Sequence, residues 1–91
     1  MTQPYFSLIV PVYNEEGNLE ALFAQVKSIM TRLKKPWEIL FVNDGSTDRS
    51  ETIIKLLQAR NPQNVILLNF TRNFGQTAAF AAGFDHAQGE I

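Results

Sequence analysis

The 91-residue sequence contains no cysteine and a single histidine. Without cysteine the chain cannot form disulfides, thiolate zinc sites or thiol nucleophiles, so thiol redox chemistry is excluded. No stretch approaches the roughly 18 apolar residues that a membrane span requires, and the amino-terminal residues lack the basic and apolar regions of a signal peptide. We therefore expect this chain to be cytoplasmic.

A strong excess of either charge is also lacking. Eight basic and nine acidic residues give a net charge of -1, and the basic residues are mostly scattered, so we expect no nucleic-acid partner. Hydrophobic residues make up 45% of the sequence, which is typical of a globular protein. A chain of this length forms one small domain or part of one, and buries roughly 60 to 65% of its unfolded surface.

The order of apolar segments predicts an α/β fold. Three nearly continuous apolar runs have the length and composition of strands covered on both faces. They alternate with three segments whose apolar residues recur every three or four positions, as in helices packed on a sheet. The predicted strands are Phe6–Val12, Trp37–Asn43 and Val65–Phe70, and the predicted helices are Leu19–Leu33, about Thr47–Arg60 and about Thr77–Gln88. This β-α-β-α-β-α order predicts a Rossmann-like parallel sheet.

Polar, turn-prone loops follow each predicted strand. In such sheets ligands bind at the carboxyl ends of the strands, so the three loops predict one crevice. Asn14 is a candidate N-cap for the first helix, with Glu15 and Glu16 in its first turn. Asp48 and Glu51 have the spacing of a capping box at the second helix.

Three classes of function compete at this point. A nicotinamide-dependent oxidoreductase would need Gly-x-Gly-x-x-Gly after the first strand, whereas this sequence has Tyr-Asn-Glu-Glu-Gly, whose carboxylates would repel a pyrophosphate. A receiver domain would bind Mg²⁺ through strand-end carboxylates such as Glu15 and Asp44. A non-catalytic nucleotide-binding or structural fragment is the third possibility.

Three segments carry a family resemblance. The segments SLIVPVYNEEGNL, EILFVNDGSTDRS and NFTRNFGQTAAFAAGFDHAQGEI resemble the first part of a family 2 glycosyltransferase with the GT-A fold, and the resemblance extends over essentially all 91 residues. The stretch Arg72–Gly75 is most similar to the branch that makes polyprenyl-phosphate sugars, the dolichol- or undecaprenyl-phosphate mannosyl- and glucosyltransferases. The resemblance implies transfer of a sugar from a UDP- or GDP-sugar, with a polyprenyl phosphate as the acceptor.

The same resemblance implies a nucleotide-binding set in these loops. A tyrosine offers a flat face to a base, and a carboxylate accepts hydrogen bonds from ribose hydroxyls or ring N–H groups. In this family the acidic residue after the second strand accepts the N–H of uracil or guanine. The predicted nucleotide-binding residues are Pro11, Val12, Tyr13, Asn14, Glu15, Val42, Asp44 and Arg72.

Each of these residue types also has a purely structural interpretation. Tyr13 could be an aromatic residue at the rim, and Glu15 could interact with a helix dipole. Asp44 could form an Asx turn into the following glycine, and Arg72 could bind a phosphate or only solvate its loop. Gln76 stands where many members of the family have a lysine, which weakens the case for a phosphate contact at that position.

Further features of the family are expected beyond Ile91. Relatives hold Mg²⁺ or Mn²⁺ on an Asp-x-Asp motif that follows a fourth strand, so no catalytic or metal-ligating residue is assigned within the 91 residues. We expect this chain alone to bind nucleotide without turnover, and the parent protein to act at the cytoplasmic face of the membrane. Without a fourth strand beside it, the strand Phe6–Val12 would be an apolar edge, which predicts self-association.

Overall fold

Three parallel strands and three helices alternate along the chain, which confirms the α/β fold expected from the sequence. The computed structural model describes residues 4–70 and 72–89. The elements are β1 (Phe6–Val12), α1 (Leu19–Leu33), β2 (Trp37–Asp44), α2 (Ser50–Arg60), β3 (Val65–Phe70) and α3 (Gln76–His86). The expected start of a fourth strand at residues 90 and 91 lies outside the described residues.

β2 lies at the centre of the sheet, with β1 on one side and β3 on the other. All eight residues of β2 are buried, which is the reason for the apolar run from Ile39 to Val42 at its centre. The register pairs Val12 with Asn43, and Asn43 with Asn69, so the three strands end at nearly the same level. The loops that follow the strands therefore begin side by side at one edge of the sheet.

Helices cover both faces of the sheet. The main core joins alternate residues of the strands to α1 and α2, with Phe23, Ile39 and Ile54 among its buried members. On the opposite face α3 packs against β1 and β2. There Gly83 lies so close to Ile9 that a Cβ at this position would be 3.2 Å from its Cγ1 atom and still nearer to its Cγ2 atom. This glycine is required for the close approach of α3 to the sheet.

The bounds of β1, β3 and α1 are as predicted, whereas the N-cap of α1 and the start of the second helix differ from the prediction. α1 begins at Leu19 after an N-cap at Asn18, so the predicted N-cap at Asn14 is wrong. Glu20 is the acidic residue of its first turn, and neither Glu15 nor Glu16 is part of the helix. Asn14 instead has a left-handed backbone with φ 52°, a conformation that asparagine tolerates better than most residues.

The second helix starts later than the predicted Thr47, at Ser50, with Arg49 as its N-cap. The predicted capping box is therefore wrong, because Asp48 precedes the N-cap and Glu51 forms an ion pair with Lys55 at 2.9 Å. No helix in the described ranges is long and apolar enough to cross a membrane.

Candidate functional site

The carboxyl edge of the sheet holds three loops, one after each strand. We name them loop 1 (residues 13–18), loop 2 (residues 45–49) and loop 3 (residues 71–75, of which 72–75 are described). At their base the side-chain amide of Asn43 donates a hydrogen bond to Asn69 Oδ1 at 2.9 Å. This bond links the ends of β2 and β3 directly below the loops.

Asn14 joins loop 1 to loop 2 through its side chain. Its Oδ1 atom accepts hydrogen bonds from the backbone N–H groups of Thr47 at 2.8 Å and Asp48 at 3.3 Å. Its own backbone N–H donates to Ser46 Oγ at 3.0 Å. The left-handed backbone of Asn14 thus turns its polar groups toward loop 2 instead of toward a helix.

The next two residues of loop 1 are fixed in the same way. The N–H of Glu15 donates to Ser50 Oγ at 3.0 Å, and the N–H of Glu16 donates to Asp48 Oδ2 at 3.1 Å. Ser50 is fully buried at the start of α2. Three successive N–H groups of loop 1 are therefore held by side-chain oxygens from loop 2 and the first residue of α2.

Asp44 holds loop 3 in place. Its two carboxylate oxygens accept hydrogen bonds from the N–H groups of Phe74 at 2.7 Å and Gly75 at 2.9 Å. Because only 3% of Asp44 is exposed, water weakens these bonds little. Bonds of this kind, from an amide to a carboxylate, are among the stronger hydrogen bonds in proteins.

Gly45 lets loop 3 approach so closely. Its φ of 72° is in the left-handed region, and a Cβ there would collide with the backbone of Arg72 and Asn73. Gly75 has φ 96° and forms the N-cap of α3. Both glycines are thus required by backbone conformation, and Gly45 also by the space available.

The predicted nucleotide-binding residues divide into an exposed and a buried group. Tyr13, Glu15 and Arg72 have exposed side chains around the three loops. Val12 and Val42 are at most 1% exposed, so their side chains belong to the core and only their backbone could meet a ligand. Of the remaining three, Pro11 is half-buried and Asp44 is buried. Asn14 is exposed, but its side chain accepts hydrogen bonds from loop 2.

Two exposed side chains of the set have defined partners. The carboxylate of Glu15 accepts a hydrogen bond from Asn18 Nδ2 at 2.9 Å. The guanidinium of Arg72 lies 4.9 Å from the ring centroid of Phe74, within the range of a cation–π interaction. Each contact limits the range of positions that the charged group can adopt.

Hydrogen bonds lower the pKa values of Asp48 and Glu51. Burial pushes the pKa of Asp48 upward, but hydrogen bonds from Ser50 and from the backbone of Glu16 outweigh this effect and hold the pKa below its usual value of 3.8. The hydrogen bond and the positive charge of Lys55 lower the pKa of Glu51. Asp48 is therefore ionised at neutral pH and accepts hydrogen bonds from loop 1.

The described residues do not form a divalent-cation site. Within residues 4–70 and 72–89, no three His, Asp or Glu side chains are grouped as metal ligands. Asp44 and Asp48 already accept backbone hydrogen bonds through both of their oxygens. The Mg²⁺ or Mn²⁺ that the sequence resemblance implies therefore does not fit these residues, and no chemical step is derived through it.

Sequence reasoning did not identify the roles of Ser46 and Ser50. Both hydroxyls accept hydrogen bonds from backbone N–H groups of loop 1. The available signal was the cluster of short polar side chains that follows Asp44, which also fits an ordinary turn. Their partners lie 32 and 35 residues away in the sequence, beyond the reach of local patterns.

A cavity of about 590 Å³ lies at the opposite edge of the sheet and is lined in part by Trp37, Glu38 and Asn64. Glu38 is only 3% exposed. Its carboxylate accepts hydrogen bonds from Ser7 Oγ at 2.5 Å and from the N–H of Gln88 at 2.7 Å. This network attaches the segment after α3 to the sheet, so we assign Glu38 a structural role.

The fold and the strand-end loops agree with the family found by comparison. A family model described as "Glycosyl transferase family 2" matches residues 7–91. The chain belongs to glycosyltransferase family 2, which confirms the resemblance seen in its sequence. The oxidoreductase and receiver alternatives are therefore set aside.

Curated relatives are similar to the chain over most of its length. An uncharacterised glycosyltransferase of Bacillus subtilis is 44% identical over 84 residues, covering 92% of this chain and 26% of the relative. An undecaprenyl-phosphate 4-deoxy-4-formamido-L-arabinose transferase of Pectobacterium carotovorum is 38% identical over 85 residues, covering 93% of this chain and 26% of the relative. A bactoprenol glucosyl transferase of Shigella phage SfV is 44% identical over 84 residues, covering 92% of this chain and 27% of the relative. The chain spans about a quarter of the length of these relatives.

Proposed function

We propose that this chain forms the nucleotide-sugar-binding half of a glycosyltransferase domain that transfers a sugar from a UDP- or GDP-sugar to a polyprenyl phosphate. The observation that carries the proposal is that hydrogen bonds hold the three strand-end loops at one edge of the sheet, loop 1 on loop 2 and loop 3 on Asp44, in a chain of this family. The names of relatives that act on undecaprenyl phosphate and bactoprenol support the choice of acceptor. In the proposed reaction a phosphate oxygen of the lipid attacks the anomeric carbon, and the nucleoside diphosphate leaves.

Loop 1 is proposed to bind the nucleoside. Tyr13 is 48% exposed and can stack on a base without first leaving the core. Glu15 presents a carboxylate that can accept hydrogen bonds from ribose hydroxyls, and its bond to Asn18 orients it beforehand. Both interactions use side chains that contribute little to the core, so they can be tested without unfolding the protein.

Asp44 is proposed to recognise the base by accepting a hydrogen bond from its edge. A carboxylate has about four lone-pair sites, and two of those of Asp44 accept the N–H groups of Phe74 and Gly75. The remaining sites can accept the ring N–H of uracil or guanine, whereas cytosine and adenine present no such donor there. Because Asp44 is buried, loop 3 must shift for the base to reach it.

Arg72 is proposed to meet the negative charge of the substrates. Its guanidinium is exposed and is held over the ring of Phe74. An arginine in this position can bind the diphosphate of the donor or the phosphate of the lipid acceptor in a bidentate manner. Gln76, the first residue of α3, adds no charge to this contact.

The isolated 91-residue polypeptide is proposed to bind nucleotide without transferring sugar. Its sequence contains no Asp-x-Asp motif, and the described residues offer no ligand group for Mg²⁺ or Mn²⁺. A divalent ion on the diphosphate stabilises the leaving group by several kcal/mol, so transfer without it would be slow. The proposal places the parent enzyme at the cytoplasmic face of the membrane, where its lipid acceptor is accessible.

Calorimetric titration of the chain with UDP, GDP, ADP and NAD, each with and without Mn²⁺, tests the nucleotide site. We expect UDP or GDP to bind independently of Mn²⁺, and ADP and NAD not to bind. The variant Tyr13→Ala should weaken binding about 5- to 150-fold, because base stacking on an aromatic side chain contributes about 1–3 kcal/mol. Phe84→Ala is the matched control, since Phe84 is an exposed aromatic residue on α3.

Two results would refute this assignment. One is a folded chain that binds none of the four nucleotides. The other is equal nucleotide affinity of the Tyr13→Ala and Phe84→Ala variants. A separate assay with labelled UDP- or GDP-sugar and undecaprenyl phosphate tests turnover, and transfer by the 91-residue polypeptide would contradict the proposal that it is inactive alone.

The edge of β1 is proposed to mediate self-association. Among the described strands β1 pairs only with β2, so no described strand pairs with its other edge. A strand edge with free N–H and C=O groups can pair with a second copy. Sedimentation velocity over a hundredfold range of concentration should show growing oligomers, and a monomer at every concentration would exclude the pairing.

A further inference from the structure

We propose that Ser50 is a positioning residue of the nucleotide site. Its hydroxyl fixes the backbone of Glu15, so that the Glu15 carboxylate is already in place when the nucleotide binds. Ser50 itself does not touch the nucleotide. This inference rests on the proposed function, because it assigns a task to a residue beside the proposed ribose contact.

Ser50 has no exposed surface and is the first residue of α2. Its Oγ atom accepts the N–H of Glu15 at 3.0 Å, and its own N–H donates to Asp48 Oδ1 at 2.9 Å. A side chain in this position cannot turn outward to a ligand, so its effect on binding is indirect. Its contact with Glu15 is the one that reaches a residue proposed to bind the ribose.

Three backbone hydrogen bonds hold loop 1, and their acceptors differ in burial. Asn14, Glu15 and Glu16 each donate a backbone hydrogen bond, and only the bond from Glu15 ends on a fully buried acceptor. Water competes least with a buried acceptor, so this bond restrains loop 1 most strongly. It also lies at the centre of the three.

The side chain of Glu15 is held by a hydrogen bond as well. Its carboxylate accepts a hydrogen bond from Asn18, so this residue is held at both its backbone and its side chain. A group that is fixed before binding loses little conformational freedom on binding, which raises affinity without a new contact. Without the Ser50 hydroxyl, the Glu15 amide loses its partner and the loop gains freedom.

Three variants of the 91-residue chain separate positioning from stability. Ser50→Ala removes the acceptor and should weaken UDP or GDP binding about three- to tenfold, the size of effect expected for one hydrogen bond. Ser50→Thr keeps a hydroxyl and should restore most of the affinity. Ser7→Ala is the matched control, because the Ser7 hydroxyl is bonded to Glu38 and Gly89 at the opposite edge of the sheet.

The Ser7→Ala control should lower the melting temperature and leave nucleotide affinity unchanged. If Ser50→Ala and Ser7→Ala change affinity equally, the effect is one of stability and the inference is wrong. If Ser50→Ala binds nucleotide as well as the original chain, the inference is also wrong.

A double-mutant cycle tests the link to Glu15. Ser50→Ala should weaken binding less than twofold when Glu15→Gln is already present, because the group that it positions has been changed. An equal loss in both backgrounds would show that Ser50 does not act through the Glu15 carboxylate, and would overturn the inference.

Amide hydrogen exchange measured without nucleotide distinguishes a failure of the positioning role of Ser50 from a failure of the proposed nucleotide-binding function. The Glu15 amide should be protected in the original chain and should exchange faster in Ser50→Ala. An unprotected Glu15 amide refutes the positioning role even if nucleotide binds. If the original chain protects the Glu15 amide but binds no nucleotide, the proposed function is wrong. The positioning role of Ser50 is then wrong as well, because it depends on the nucleotide site.

Discussion

Replacing Asp44 by asparagine should destabilise the protein through loop 3. Asp44 uses both carboxylate oxygens to accept the N–H groups of Phe74 and Gly75, and it is 3% exposed. Asparagine has the same shape but keeps only one acceptor, and its NH₂ group would face one of these N–H donors. One buried hydrogen bond is then lost and the other loses its charge.

The magnitude follows from these two bonds. A hydrogen bond to a charged group contributes about 1.5–3 kcal/mol, and a neutral one about 0.5–1.5 kcal/mol. Asparagine also removes the cost of burying a charge, which offsets part of the loss. We expect the free energy of unfolding of Asp44→Asn to fall by about 2 kcal/mol, which lowers the melting temperature of a chain of this size by about 8–16 °C.

Urea unfolding and thermal melts of Asp44→Asn, beside the control Asp85→Asn, measure this effect. Asp85 is exposed on α3, so its substitution should change stability by less than about 0.5 kcal/mol. Amide exchange should show faster opening at Phe74 and Gly75 in Asp44→Asn. Equal stability of the two variants, with unchanged exchange at these two amides, would refute the argument that Asp44 holds loop 3.

Three further substitutions test other parts of the structure. Gly83→Ala should lower the free energy of unfolding by about 1–3 kcal/mol in urea titrations, because a Cβ at this position collides with Ile9. Gly17→Ala is the control and should not lower it, because a Cβ at Gly17 would have no atom within 4 Å. Asn14→Gly keeps the left-handed backbone but loses the side-chain hydrogen bonds, so it should lower the free energy of unfolding by about 1 kcal/mol in the same titrations. Asn14→Ala should lower it by about 1 kcal/mol more, because alanine is strained in the left-handed conformation. An alanine variant as stable as the glycine variant would contradict this. The lowered pKa of Asp48 means that its carboxylate stabilises the fold above pH 3.8 and that this contribution is lost as the pH falls through the folded value. The stability difference between the original chain and Asp48→Asn should therefore be present at pH 6 and disappear in strong acid, and a difference that persists there would argue against it.

Much of the fold could be predicted because its signals are local. The apolar runs of β1 and β3 gave strand bounds that the structure reproduces, since a strand covered on both faces must be apolar along its length. The polar residues that follow these runs placed three loops at one edge. Membership of the glycosyltransferase family was likewise visible in the segments around Tyr13 and Asp44.

The helix caps show where local rules failed. Asn14 and Asp48 are residue types typical of N-caps, yet Asn14 Oδ1 and Asp48 Oδ2 hold the neighbouring loop, and only Asp48 Oδ1 accepts a local N–H, that of Ser50. Capping preferences describe bonds to amides two or three residues away, and they do not include a competing amide more than 30 residues distant. The competing bonds form because parallel strands that end at one level bring loops 1 and 2 into contact.

The sequence by itself determined the alternation of strands and helices, the edge at which its polar loops gather, and the family to which the chain belongs. These features depend on apolar periodicity and short motifs, which are properties of neighbouring residues. Only the tertiary structure decided that Asp44 holds loop 3 and that Ser50 holds Glu15. The physical reason is that a buried polar group must find a partner, and the partner available to it depends on which distant segments the packed sheet brings within 3 Å or so.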